Sequence, residues 1–488
     1  MVRLPTALLA ACGLLTGRAL GALEVDLDDQ ESIKKAAALV AEDLLSFYRG
    51  DEPGWVPGIL PGPPPDGDYY WWQGGAMWGT LLDYRHVMND STYDDTIFTA
   101  LQFQVGDDKD YNPLNWSASM GNDDQAFWAF AAMLAAETGF RDPSSTQPQW
   151  LALAQAVFNE QTHINRRVDD GGNCDWGLRW QVYRTNNGWD YINTVANACY
   201  FNIGARLGRY TANSTYVELA EKTWDFMWRL GYITKDYDVY DGAHEPNCTE
   251  INKSQFSYNA AMILQGAAFM YNQSGEYAWG CCATFYLSEL DRVCADRMWL
   301  NQTQNDTWKE RVDGMAKGVV RVFFANDGIA YEPSCEPAPG TCNADMESYR
   351  GYMHRWMANT IQLAPHLYDT LMPVLKTSAA AGVKQCTGGD NGRMCGFHWT
   401  SGKYDGLQSA SLEMNVLGAL TALMMPGVAP PLTNTTGGTS KGDPNAGSAT
   451  TQLRTFAPIT TGDKAGASIL TILIVTGALS AFAWMSLD

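Results

Sequence analysis

The run "MGNDDQAFWAF", Met120 to Phe130, sets two carboxylates, Asp123 and Asp124, at the head of an apolar stretch. Adjacent acids beside apolar walls can divide acid–base work, because each raises the pKa of the other and one keeps a proton. Gly121 supplies backbone freedom and Asn122 reads as an N-cap, which places both acids in the first turn of a helix. Neighbouring helical residues point about 100° apart, so the two carboxyl groups can stand roughly 5–6 Å from each other. Retaining glycosidases need a nucleophile and an acid/base about 5–5.5 Å apart, and inverting ones a wider gap. A helix N-terminus favours the ionised form that suits a nucleophile. Doubled Asp also occurs at Asp28–Asp29, Asp94–Asp95, Asp107–Asp108 and Asp169–Asp170, and a plain helix start uses the same pattern. The Asp123–Asp124 pair differs in context: Gln125 to Ala136 carry no charge, so this helix enters the core with its acids at the mouth.

Helices must carry such a site, since the pattern is helical nearly throughout. Helix 31–48 shows a one-sided stripe of Ile33, Ala36, Val40, Leu44 and Phe47, and segment 215–230 repeats it with Val217, Ala220, Trp224 and Met227. Segments 124–136, 256–271 and 412–425 are apolar almost all round, so each must be covered on several sides. Inner apolar helices ringed by amphipathic ones predict a closed, all-α toroid, an (α/α)6 barrel, as one domain over 23–428. A linear solenoid also pairs helices, but no fixed repeat period is visible. In a toroid, loops at one end converge on a cleft, and the loops 61–75 and 169–191, rich in Gly and aromatics, are placed to line it.

The chain has 488 residues, 46% hydrophobic and 18% charged, enough for a large core. A net charge of −21 repels phosphate backbones and argues against nucleic acid, whereas a neutral polysaccharide meets no such penalty. The 18 Trp and 23 Tyr suit sugar faces, although a helical core absorbs most such rings. Arg3, an apolar stretch and small residues near Ala22 read as a secretory signal over 1–22. Its removal takes away Cys12 and leaves ten cysteines, expected as disulfides, with Cys335–Cys342 and Cys386–Cys395 as short loop staples. Nine N-x-S/T sequons agree with an extracellular surface. A polar stretch rich in Ser, Thr, Gly and Pro over 429–463 precedes an apolar tail, 464–488, with no Lys or Arg after it. That is the form of a GPI-attachment signal rather than of a retained transmembrane helix. Gly442, Asn445 and Gly447 meet its small-residue rule, and its spacer rule points nearer Thr461.

Four segments, "GNDDQAFWAFAAMLAAE", "YYWWQGGAMW", "GGNCDWGLRWQ" and "ESYRGYMHRWM", resemble glycoside hydrolase family 76, in particular its fungal GPI-anchored mannan endo-1,6-α-mannosidase branch. The resemblance spans Glu24 to Pro426 and implies an (α/α)6 barrel with a retaining mechanism. It implies Asp123 as nucleophile and Asp124 as acid/base. It further implies a mannan or GPI-core glycan donor and transfer of the anchored protein onto wall glucan as acceptor.

An aromatic platform would help a sugar hydroxyl displace water in that transfer. Trp71, Trp72, Trp176, Arg179 and Trp180 are candidates to bind substrate, with Asn122, Asn259 and Tyr349. The six histidines show no metal-ligand spacing, so neither a metal nor a cofactor is expected. "GTSKG" (438–442) matches G-x-S-x-G but lacks the strand and helix of a nucleophile elbow. A monomer held at the outer membrane face only by its anchor is the expected state. A non-catalytic glycan-binding protein on the same fold is the alternative, and the paired acids argue against it.

Overall fold

The computed structural model describes residues 21–280, 291–324, 327–337, 341–448 and 461–485. The expected leader, apart from Gly21 and Ala22, lies outside the described residues, as do Cys281, Cys282 and the side chain of Cys294.

Helix α1 (Gln30–Leu45) starts where the Asp29 side chain accepts the Glu31 N–H, and it buries Ile33, Ala36, Val40 and Leu44 along one stripe. The helices that follow are α2 (Trp71–Met88), α3 (Asp94–Phe103), the single turn α4 (Leu114–Ser117), α5 (Asn122–Glu137) and α6 (Trp150–Thr162). Next come α7 (Thr194–Thr211), α8 (Ser214–Leu230), α9 (Ser257–Gly280), α10 (Asp291–Phe323), α11 (Tyr349–Leu363), α12 (Tyr368–Val383) and α13 (Ala410–Met424).

Six of them form a closed inner ring: α2 packs on α5, α5 on α7, α7 on α9, α9 on α11, α11 on α13, and α13 returns to α2. Helices α1, α3, α6, α8, α10 and α12 lie outside this ring, each against at least one inner helix next to it in sequence, with α1 also on α13 at the closure. The predicted double ring of helices is therefore present. Segments apolar on all sides (α5, α9 and α13) are inner helices and the one-sided stripes (α1 and α8) are outer ones, as burial of their side chains requires.

Three readings need correction. The stretch 61–75 is not loop throughout: the Gln73 side chain accepts the Tyr70 N–H, so α2 begins at Trp71. A Cβ on Gly75 would stand 2.9 Å from the Trp128 backbone nitrogen, so this glycine serves helix contact. A short ribbon joins β1 (Tyr191–Asn193) antiparallel to β2 (Gly242–His244), too brief to show as alternation in the sequence. The disulfides Cys335–Cys342 and Cys386–Cys395 are formed, and a third joins Cys174 to Cys248, but Cys199 is an unpaired, buried thiol on α7. A thiol that faces only the helical interior behaves as a small apolar side chain, so an even cysteine count did not imply complete pairing.

The polar stretch after α13 lies against the barrel as far as Ser448. Leu432 N–H donates to the Glu137 carbonyl (2.8 Å), the Ser440 hydroxyl accepts from Leu151 N–H (3.0 Å), and Asn159 Nδ2 donates to the Pro444 carbonyl (2.9 Å). Helix α14 (Thr461–Met485) belongs to a separate compact unit, with Ile469, Leu473 and Phe482 exposed. Among the described residues no helix is long and apolar enough to cross a membrane.

Candidate active site

Five of the inner helices bring their N-terminal ends to one cleft of about 630 Å³. Tyr70–Trp72, Asp123–Asp124, Asn193 with Val195, Phe256 with Tyr258, and Asp345 with Tyr349 supply most of its lining. Aligned peptide dipoles end there in N–H groups, which favour negative charge.

The acids hold their place through the residues that flank them. Helix α5 is capped by Gly121, not by Asn122, whose side chain is fully buried inside the first turn. Asn122 Nδ2 donates to the Arg179 carbonyl (2.9 Å), its Oδ1 accepts from Arg166 Nη1 (2.6 Å), and its backbone carbonyl accepts from Gln161 Nε2 (2.7 Å). Gln125 Nε2 donates to the Asp110 carbonyl (2.8 Å) and to Glu160 Oε2 (3.0 Å), and Glu160 is itself paired with Arg166 (2.9 Å). In Asn-Asp-Asp-Gln, then, the outer two residues grip the scaffold and the inner two face the cleft.

Gly121 is required here for space, its φ of −85° being ordinary. A Cβ at this position would lie 2.2 Å from Asp123 Oδ1 and 3.2 Å from Asp124 Oδ2. Those two oxygens are thus no farther apart than the two reaches end to end, inside the limit of about 5.5 Å that a retaining pair uses. Asp124 Oδ2 accepts the Gly121 N–H (2.7 Å), and Asp123 Oδ2 accepts from Trp180 Nε1 (3.2 Å), while Asp123 Oδ1 is buried without a partner. Burial lifts the Asp124 carboxyl to about 6, with the Gly121 N–H pulling it back. Asp123 is pushed well above the ordinary range by burial and by the charge of Asp124, against the N–H groups of Asp123, Asp124 and Trp180. Two such groups share one proton near neutrality.

Trp71, Trp72, Trp180 and Tyr349 join Asp123 and Asp124 in the cleft. The other expected binders do not line it. Besides the buried Asn122, Trp176 lies between Arg167 and Lys222, 4.0 and 3.6 Å from its ring, and donates to Thr223 Oγ1. Arg179 stacks on Trp189 at 3.7 Å and pairs with Glu245 at 2.7 Å, so its side chain is already committed. Asn259 is buried beside the wall with neither amide atom partnered. A Gly-rich loop could not reveal from spacing alone which side of each turn faces the cleft.

Sequence reasoning missed Asp345, Asp241, Tyr191 and Tyr258. Asp345 Oδ1 accepts from Trp72 Nε1 (3.2 Å), and burial together with the Asp124 charge raises it to about 6. Asp241 accepts from Tyr191 Oη (2.6 Å), and Tyr258 stacks on Tyr349 with ring centres 3.8 Å apart. One signal was available for Asp345: like Asp123, it is an acid near the start of an inner helix. Trp180→Phe removes the indole donor to Asp123 but keeps the ring. We expect a fall in kcat of about 10- to 100-fold with the fold intact, checked by steady-state kinetics beside circular dichroism.

A closed double ring of helices with twin carboxylates at a cleft of sugar size defines a glycoside hydrolase of the α/α-barrel kind. The model of glycosyl hydrolase family 76 matches residues 32–295 and 295–435, and the chain belongs to that family. It is 40% identical over 478 residues to mannan endo-1,6-alpha-mannosidase DCW1 of Saccharomyces cerevisiae, covering 97% of each chain. It is 36% identical over 474 residues to mannan endo-1,6-alpha-mannosidase DFG5 of the same yeast, covering 96% of this chain and 95% of that one. A crystal structure of Dfg5 from Chaetomium thermophilum, in complex with glucosamine, superposes with a TM-score of 0.78 at 48% identity, covering 86% of this chain and 97% of that chain. The GH76A alpha-1,6-mannanase of a Salegentibacter species shares the fold, with a TM-score of 0.59 at 13% identity, covering 81% of this chain and 99% of that one.

Proposed function

We propose that the protein is a retaining endo-1,6-α-mannosidase of the fungal cell wall, with Asp123 as nucleophile and Asp124 as acid/base. The observation that carries this reading is the closeness of the two carboxylates at the cleft floor. The names of the curated relatives support the mannan bond. Asp123 attacks the anomeric carbon of the mannose while Asp124 passes its proton to the departing glycosidic oxygen, leaving a mannosyl ester on Asp123. Asp124, now ionised, takes a proton from the incoming hydroxyl, which attacks the same carbon and releases Asp123.

In the free enzyme, burial and the charge of Asp124 push Asp123 well above the ordinary range, whereas this mechanism needs it ionised. The pair holds one proton jointly, however, and a glycosidic oxygen seated on Asp124 binds only its protonated form. The Trp180 indole N–H, together with the N–H groups at the head of α5, then favours the charge that remains.

The hydroxyl that accepts the mannosyl group decides between hydrolysis and transfer. Trp71, Trp72, Trp180 and Tyr349 offer apolar faces that hold a sugar acceptor and thin out water. We read the physiological step as transfer from a GPI-core mannose onto wall glucan by an enzyme that is secreted and GPI-anchored at the outer membrane face. The leader-like start, the apolar tail and the acceptor platform support that reading. Incubation with α-1,6-mannan, β-1,3-glucan and a GPI-core glycan, alone and in pairs, tests it through the products formed. Cleavage at α-1,6-mannosyl bonds, with mannosyl–glucan products when both are present, is the expected result. Attack on β-1,3-glucan alone would replace it.

A further inference from the structure

We infer that Asp345 is a positioning residue for the acid: a third carboxylate in the same cleft that opposes ionisation of the Asp123–Asp124 pair and so keeps its proton in place until a glycosidic oxygen arrives. The inference rests on the assignment of Asp124 as acid/base.

Asp345 lines the same cleft, immediately ahead of the turn (Met346–Ser348) that leads into α11. The backbone of that turn is fastened without help from the Asp345 carboxylate. The Ala344 carbonyl accepts from Gln73 Nε2 (3.3 Å) and Ser411 Oγ (3.2 Å), and the Asp345 carbonyl accepts from Ser348 Oγ (2.7 Å). The carboxylate itself has one neighbour of use, the Trp72 indole on Oδ1, and its other oxygen has no hydrogen-bond partner among the described residues. A carboxylate that the fold does not need, aimed into a reaction cleft, is placed to act on what enters it.

Its surroundings restrict how it acts. The residues that line the cleft include no Lys, Arg or His, so none of them supplies a positive charge to a negative Asp345. Helix α5 presents Asp123 and Asp124 to the pair's proton, α7 presents the Cys199 thiol behind them, and the β2 side presents Asp241. Helices α9 and α11 present Tyr258 and Tyr349, stacked on each other, and α2 presents only uncharged Trp71 and Trp72. Of the carboxylates outside the pair, Asp345 shares the cleft with it and is raised by the charge of Asp124, and such repulsion is mutual. Like charges across a dry gap disfavour double ionisation, so Asp345 extends the pH range over which the pair carries its proton.

The test compares a substrate that needs an acid with one that does not. Asp345→Asn is assayed against pH on α-1,6-mannan and on 2,4-dinitrophenyl α-mannoside, whose leaving group departs without a proton. The alkaline limb of kcat/KM on mannan should move about one pH unit toward acid, as loss of one nearby charge implies. At alkaline pH the loss on the dinitrophenyl substrate should be smaller than the loss on mannan, and Asp345→Glu should restore the limb. An unmoved limb in Asp345→Asn, or equal loss on both substrates, would overturn the inference. The assignment of Asp124 is judged apart from it, by Asp124→Asn: if that variant loses kcat/KM, which reports the first step, equally on both substrates, Asp124 is not the acid.

Discussion

Asp123→Asn and Asp124→Asn should each lower kcat on the glycan substrate by about 10⁴-fold or more, because neither a neutral amide nucleophile nor an amide acid can replace the missing group. The fold should survive, since neither carboxylate anchors the core. Stability should in fact rise at neutral pH, and the direction follows from linkage. Asp124 is raised to about 6 from an ordinary value of 3.8, so the folded protein binds this proton more tightly than the unfolded chain does. Its contribution to stability is complete below about pH 4 and is lost as pH climbs through 6. Asp124→Asn removes that loss while its amide oxygen still accepts the Gly121 N–H. We expect a gain on the order of 1 kcal/mol at pH 7 that fades by pH 4, measured by thermal unfolding at both. An inactive and destabilised variant would instead mean that the acids hold the fold together.

Gly121→Ala should also damage activity strongly, although it adds one methyl group to a residue with no chemistry of its own. Its Cβ would occupy a point 2.2 Å from Asp123 Oδ1, where no carbon can sit. Asp123 cannot simply rotate aside, because Trp180 holds its second oxygen and the helix turn beneath is pinned through Asn122. A displacement of about 1 Å at a reacting atom is enough to cost around 10²-fold in rate. Overpacking itself should cost about 1–3 kcal/mol. Kinetics and chemical denaturation on the same variant separate the two effects: a rate loss far larger than the stability loss is expected, and equal losses would point to general unfolding.

The sequence made the double ring legible because burial leaves a plain mark on helices. One covered on all sides loses every charge, as in α5, and one covered on a single side keeps a stripe, as in α1. The acids were legible for the same reason, standing where charge resumes at the end of an uncharged helix. What did not show was the partner of each polar side chain. Asn122, Trp176 and Arg179 have the chemistry of sugar binders, yet Arg166, Thr223 and Glu245 already take up their hydrogen bonds. Asp345 and Asp241 were overlooked because they lie 222 and 118 places from Asp123, at distances only the closed ring removes. Cys199 belongs with these, a residue whose state is set by what the ring closes around it.

The most direct measurement is capture of the covalent intermediate. Asp124→Ala is mixed with 2-deoxy-2-fluoro-mannosyl fluoride, which needs no acid to depart, then quenched, digested and analysed by mass spectrometry. A single fluoromannosyl ester on the peptide carrying Asp123 is the expected outcome. An ester on another residue, or no ester together with release of the first product as the β anomer, would contradict the retaining pair.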